Sequence, residues 1–188
     1  MPWVIALLFF GCLGLIVPAG AAAQTSKTGG VQFSDPAPIV APGSTATLLP
    51  DGTAAAPADA PSQVQAAIFA ANKLLDKPYK YGGGHAKVED TGYDCSGTVS
   101  YALIKAGLLK STPLDSTGFM SWGEAGKGKW ITVYAHGGHA YVVIAGLRLD
   151  TGYRDQYVAK WGGAPGSGPR WGKPRNPKGF TVRHPAGL

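Results

Sequence analysis

Residues 93–107 of the chain read YDCSGTVSYALIKAG, and this stretch decides the fold. Its apolar side chains recur at the spacing of one helix face. Asp94 is a favourable N-cap, and Gly107 supplies a helix stop. The stretch therefore predicts an amphipathic helix that begins near the cysteine. Its predicted buried stripe consists of Cys95, Val99, Ala102 and Ala106.

The segments on either side of this helix predict the rest of an α+β domain. Residues 63–75 carry apolar side chains at helical spacing, with Ser62 as the candidate N-cap. Downstream, residues 130–135, 139–145 and 147–151 hold the β-branched and aromatic side chains typical of strands. Two helices followed by at least three meandering strands indicate an α+β fold, in which N-terminal helices pack on an antiparallel β-sheet.

The composition divides the chain into three parts. Residues 1–23 contain an apolar run and a small-residue stretch, as a secretory signal peptide does. Residues 24–62 are rich in Ala, Pro, Thr, Ser and Gly without apolar periodicity, which predicts a disordered linker. Residues 63–188 are expected to form one folded domain with a basic C-terminal tail.

The first part predicts export, so the mature protein is expected in the cell envelope or the secreted fraction. The apolar run is shorter than the roughly 20 residues that a membrane-spanning helix needs, and no stable membrane insertion is expected.

The charge is positive and unevenly placed. The chain carries 17 Lys and Arg against 11 Asp and Glu, and no acidic residue follows Asp155. In an exported protein, such a surface favours anionic wall polymers over nucleic acid as partners. A solvated basic face that binds nothing explains the charge equally well.

Cys95 and His139 are the candidate catalytic pair. Cys95 is the only cysteine outside the predicted signal peptide, so an intramolecular disulfide is not available to it after export. A thiol at a helix N-terminus faces unsatisfied N–H groups and the positive dipole end, which favour the thiolate. His139 follows two glycines at the start of an apolar strand, where it can accept the proton. The structural alternatives are a buried inert cysteine and a core histidine.

Asp150 is the candidate for a third group that orients the imidazole. A two-residue turn at positions 145–146 would place Asp150 opposite Tyr141, on the sheet face that carries His139. A three-residue turn would expose Thr151 on that face instead.

Three motifs follow one another in this domain: YKYGG at 79–83, DCSG at 94–97 and GHAYVVI at 138–144. In order and spacing, they resemble the NlpC-type papain-like cysteine peptidases of bacterial cell walls. The resemblance extends over residues 63–151. It implies a papain-like α+β core that hydrolyses peptide bonds in peptidoglycan stem peptides.

The resemblance also implies roles for individual residues. Cys95 would be the nucleophile, His139 the general base, and a polar residue on the next strand the third member. Relatives commonly have His there, and sometimes Asn or Gln, whereas this chain offers Asp150 or Thr151. Three further residues are implied as substrate contacts, namely Tyr81, Asp94 and Ser96.

The sequence thus predicts an exported, monomeric cysteine endopeptidase that acts on peptidoglycan. No histidine has metal-ligand spacing with Cys95, and neither a metal nor a cofactor is expected. One alternative is an N-acetylmuramoyl-L-alanine amidase or an acyltransferase on the same fold. Another is a non-catalytic wall-binding module that uses the basic tail and its aromatic residues.

Overall fold

The computed structural model describes Met1 and residues 38–152 and 168–188. The chain divides into two compact units, Met1–Asp35 and Pro36–Leu188, and the elements below belong to the second. The predicted signal peptide beyond Met1 and the predicted linker up to residue 37 lie outside the described residues. So do residues 153–167 of the predicted tail.

The described part of the chain contains three helices and nine strands. The helices are α1 (Ser62–Asn72), α2 (Cys95–Lys105) and α3 (Ser116–Phe119). The strands are β1 (Val40–Ala41), β2 (Thr47–Leu48), β3 (Ala54–Pro57), β4 (Glu124–Ala125), β5 (Ile131–His136), β6 (His139–Ile144), β7 (Leu147–Asp150), β8 (Arg170–Gly172) and β9 (Thr181–His184). The helices precede the main sheet in the chain, which confirms the predicted α+β class. No helix in the described ranges is both long and apolar enough to cross a membrane.

The main sheet has six strands in the order β4-β9-β5-β6-β7-β8, and every neighbouring pair is antiparallel. The meander β5-β6-β7 is the predicted one. The sequence did not predict β8 and β9, and the description of this region as a tail is wrong where these strands form. Trp171 of β8 is buried in the core. Its apolar side chain therefore fixes a segment whose other residues include basic ones.

The core lies between the helices and one face of this sheet. Val133, Ala140 and Val142 point into it from β5 and β6, and all three are fully buried. Val99 and Ala102 of the predicted stripe are buried against them on α2. The helix pattern and the strand pattern therefore meet in one apolar layer.

Helix α2 begins and ends as predicted. The Asp94 side chain accepts a hydrogen bond from the Gly97 N–H (2.7 Å), which satisfies one free donor of the first turn. The chain leaves the helix through Gly107, whose φ of 70° lies in the left-handed region that favours glycine.

Helix α1 differs from its prediction at both ends. Its N-cap is Pro61 rather than Ser62, and no side chain caps it. The helix ends at Asn72 rather than at residue 75. The Leu74 N–H bonds to the Ala71 carbonyl, three residues back, so the chain tightens into single turns before Pro78.

Residues 38–62 are ordered, so the prediction of a disordered linker is wrong over this range. Strand β3 pairs with β1 in parallel and with β2 antiparallel. Its residue Ala54 is fully buried, and the Asn72 side chain bonds both to its N–H and to its carbonyl, each at 2.9 Å. Alanine side chains are short enough to let β3 lie close to α1, so the composition that suggested disorder permits tight packing.

Candidate active site

Cys95 and His139 meet where α2 begins beside β6. Cys95 is the first residue of α2 and is half-buried. Its sulfur hydrogen-bonds to the His139 side chain and to the backbone N–H of Ala140. The structure thus brings together the two residues that the sequence predicted to pair.

His139 is held at the start of β6 by a short hairpin. His136 pairs with His139 across β5 and β6, with Gly137 and Gly138 between them. The imidazole therefore stands on a strand fixed by pairing on both sides, so its position does not depend on a loop.

Asp150 contacts the other side of the imidazole. His139 Nε2 donates to Asp150 Oδ1 at 2.8 Å, and Asp150 is buried. Because Nε2 is engaged by Asp150, Nδ1 is the ring nitrogen left for the sulfur. The Gly152 N–H donates to the same Oδ1, also at 2.8 Å.

The turn between β6 and β7 decides which residue lies beside the His139 imidazole. Ile144 pairs with Leu147, so the turn has two residues, Ala145 and Gly146, with φ of 46° and 91°. Two consecutive positive φ values are typical of a tight hairpin turn. The two-residue alternative of the prediction is confirmed, and Asp150, not the alternative Thr151, contacts His139.

The contacts change the protonation of both partners. Burial raises the pKa of the Cys95 thiol, but the hydrogen bonds with His139 and Ala140 outweigh it, and the pKa lies below its ordinary value. Burial lowers the pKa of His139, but the hydrogen bonds with Asp150 and Cys95 outweigh it and raise the pKa to about 9. Between these two pKa values, the pair exists as thiolate and imidazolium.

Asp94 organises the loop in front of the cysteine. Besides capping α2, its carboxylate accepts from the Gly82 N–H at 3.1 Å and from His85 Nε2 at 3.0 Å. Ser96 Oγ lies 3.2 Å from the same nitrogen and donates to Asp94. Asp94 and Ser96, predicted as substrate contacts, are therefore buried and bonded within the loop.

Glycines let this loop lie directly against α2. A Cβ at Gly97 would collide with the carbonyl oxygen of Gly83, and a Cβ at Gly83 would collide with that of Gly92. The glycine-rich segment therefore packs backbone to backbone with the turn that carries Cys95.

Tyr81 and Tyr79 lie on the exposed side of this loop. Tyr81 is 91% exposed, so its ring is available to a substrate, and that contact stays a prediction. Burial raises the pKa of Tyr79, and negative charge on Cys95 and on Asp94 raises it further. Tyr79 is thus a neighbour of the thiolate.

Sequence reasoning missed several residues around the site. It includes no role for His85, although the Gly-Gly-Gly-His order places a histidine directly after the segment that packs on α2. It assigned nothing to Phe180, whose ring packs on His136 (centroids 4.5 Å apart) and lies 6.4 Å from His139. No local pattern could have found Phe180, because β9 reaches the site through non-local pairing.

No group of three or more His, Cys, Asp and Glu side chains that could hold a metal ion occurs among the described residues. A nucleophile, a base and an orienting carboxylate are the parts needed for acyl transfer through a thioester. No protein-family model matches the chain, and no curated protein matches it significantly.

Proposed function

We propose that the chain is an exported cysteine endopeptidase with an NlpC-type papain-like core that hydrolyses peptide bonds in peptidoglycan stem peptides. The observation that carries the proposal is the hydrogen-bonded series Cys95, His139 and Asp150, with the thiol pKa lowered and the imidazole pKa raised. The choice of peptidoglycan as substrate rests on the resemblance of the three motifs to wall peptidases.

The thiolate of Cys95 attacks the carbonyl carbon of the scissile peptide bond. The backbone N–H of Cys95, at the free N-terminal end of α2, is placed to stabilise the oxyanion. The imidazolium of His139 then gives its proton to the leaving amine, and a thioester remains on Cys95.

Water completes the cycle. The neutral His139 takes a proton from water, which attacks the thioester carbonyl and releases the carboxylic acid. The proton on His139 returns the pair to its thiolate–imidazolium state. Asp150 keeps the ring oriented through Nε2 throughout the cycle.

The test is incubation of the full chain with purified peptidoglycan, followed by mass spectrometry of the released fragments. We expect cut stem peptides from the wild type and none from Cys95→Ala or His139→Ala. His184→Ala is the matched control, because His184 lies on β9 and bonds to the Gly126 carbonyl (3.1 Å), away from Cys95. It should retain activity.

Other products would identify the alternatives. Intact stem peptides freed from glycan would indicate an amidase. Transfer of the acyl group to an added amine in place of water would indicate an acyltransferase. Absence of any product, with binding to the wall that Cys95→Ala leaves unchanged, would indicate a binding module.

A further inference from the structure

A buried arginine lies directly behind the candidate active site. Arg148 stands two residues before Asp150 on β7, and both side chains point to the same face of the sheet. Its Nη1 lies 3.6 Å from Asp150 Oδ2. The side chains are 5% and 0% exposed, so water hardly screens their attraction.

The two oxygens of Asp150 have different surroundings. Oδ1 accepts hydrogen bonds from His139 Nε2 and from the Gly152 N–H. Oδ2 has no hydrogen-bond partner in residues 38–152 and 168–188. The Arg148 guanidinium lies near Oδ2, and the separation of Nη1 and Oδ2 is too long for a hydrogen bond but within the range of an ion pair.

Arg148 is also held in place by an aromatic ring. Its guanidinium lies 6.0 Å from the ring centroid of Tyr141, which stacks on Tyr134 at 4.8 Å. Tyr141 is buried, so the cation rests against a fixed aromatic surface.

We propose that Arg148 is a positioning residue for the Cys95–His139–Asp150 series. Its positive charge attracts Oδ2 and turns the carboxylate so that Oδ1 remains on His139. This inference rests on the proposed function, because it assigns Arg148 a task in the same site. Arg148, Asp150, His139 and Cys95 then form an alternating row of positive and negative charges with no net charge.

Removal of the arginine would take one positive charge away from this buried row. Loss of a neighbouring positive charge makes the negative form of a buried group such as Cys95 less stable. The thiolate should therefore form only at higher pH.

Other titratable or charged groups face the series from neighbouring elements and remain in place in an Arg148 variant. These are Tyr79, Asp94, His136, Tyr141, Arg170 and Arg175. A difference between wild type and variant therefore reports on Arg148.

The test is the pH profile of Cys95 alkylation by iodoacetamide in the full chain. We expect Arg148→Met to move the lower inflection upward by about one pH unit, which reduces the alkylation rate below that inflection about tenfold. Arg148→Lys, which keeps the positive charge, should restore most of the wild-type profile. Arg148→Gln serves in place of Arg148→Met if the latter does not fold.

The control is Arg183→Met on β9, where the arginine Nε donates to the Met120 carbonyl at 2.7 Å. It removes a half-buried arginine from the same sheet and should leave the inflection unchanged even where it lowers stability. A folded Arg148→Met or Arg148→Gln protein with the wild-type inflection overturns the inference and leaves the proposed function intact. If the wild-type profile shows no inflection below the ordinary thiol pKa of about 8.5, the Cys95–His139 ion pair is overturned. Both the proposed function and this inference rest on that pair.

Discussion

Cys95 and His139 lose their protons at opposite ends of the working pH range. The pKa of Cys95 is lowered, so the thiolate forms below the ordinary value of a thiol as pH rises. The imidazolium needed by the leaving amine is lost as pH rises through the His139 pKa of about 9. We expect a bell-shaped profile of kcat/KM with its alkaline limb near pH 9. A rate that still climbs at about pH 10 would show that protonated His139 is not required.

Asp150 supplies charge as well as orientation. Asp150→Asn keeps an oxygen that can accept from His139 Nε2 but removes the negative charge that raises the imidazole pKa. We expect the alkaline limb to move from about 9 toward the ordinary histidine value near 6.5. Asp150→Ala removes both effects and should lower kcat/KM about 100-fold. An alkaline limb that stays in place in Asp150→Asn would assign the raised pKa to Cys95 instead.

Gly152 packs against the imidazole. A Cβ there would stand 3.0 Å from His139 Nε2 and 3.3 Å from Asp150 Oδ1. Gly152→Ala should displace the ring by a few tenths of an ångström from the position in which it contacts Cys95 and Asp150, and lower kcat about tenfold, with little change in KM. Steady-state kinetics measures this, and a melting temperature shows whether the variant is folded. An unchanged kcat would mean that the ring tolerates the displacement.

The sequence predicted those site residues whose positions depend on local patterns such as a helix cap or a tight turn. An N-cap and a helix stripe place Cys95, and a two-residue turn places Asp150 beside His139. Tyr79 reaches the site from a separate segment, and no periodicity in one segment encodes such a contact. Arg148 shares a strand face with Asp150, but its burial depends on packing that the strand pattern does not encode.

The side-chain amide of one residue joins three segments of the fold. Asn72, at the end of α1, accepts from the Ala54 N–H and from Trp171 Nε1, and its own nitrogen donates to the Ala54 carbonyl. These bonds tie β3 and β8 to the same helix end. Local patterns could not predict this junction, because its other members lie 18 and 99 residues from Asn72.

Asn72→Ala should therefore destabilise the fold. It leaves buried backbone groups of Ala54 and the indole N–H of Trp171 without their partner, and we expect a loss of about 3 kcal/mol in the free energy of unfolding. Urea denaturation measures it. Gln65→Ala is the control on the same helix, because one Gln65 nitrogen is shared among three carbonyls at 3.1–3.4 Å, and its loss should cost less than about 1 kcal/mol. Equal losses would contradict a special role for Asn72.

The main sheet is completed by a strand that is distant in sequence from its neighbours. Strand β9 lies between β4 and β5, and the Trp130 N–H donates to the Leu188 carbonyl at 2.6 Å. Composition described this region as a basic tail, because short strands with scattered Lys and Arg show neither helical nor alternating periodicity. Pairing with strands distant in the sequence, above all with the buried β5, turns the segment into sheet.

The same reasoning applies before α1, where residues 38–61 belong to the folded unit. This segment carries five buried alanines, and the Ala46 N–H donates to the Ala145 carbonyl at 2.8 Å, in the turn that sets the position of Asp150. A chain that begins at Gln63 should lose about 4 kcal/mol of stability, at about 0.8 kcal/mol per buried methyl group. It should also lose activity, because the turn loses its support.

Denaturation and peptidoglycan hydrolysis would be measured for three proteins: the full chain, a chain that begins at Pro38 and the chain that begins at Gln63. The loss should occur between the last two, since only that deletion removes β1, β2 and β3. If the chain that begins at Gln63 were as stable and active as the one that begins at Pro38, the small sheet would be dispensable. Residues 63–188 would then fold by themselves, as the composition suggested.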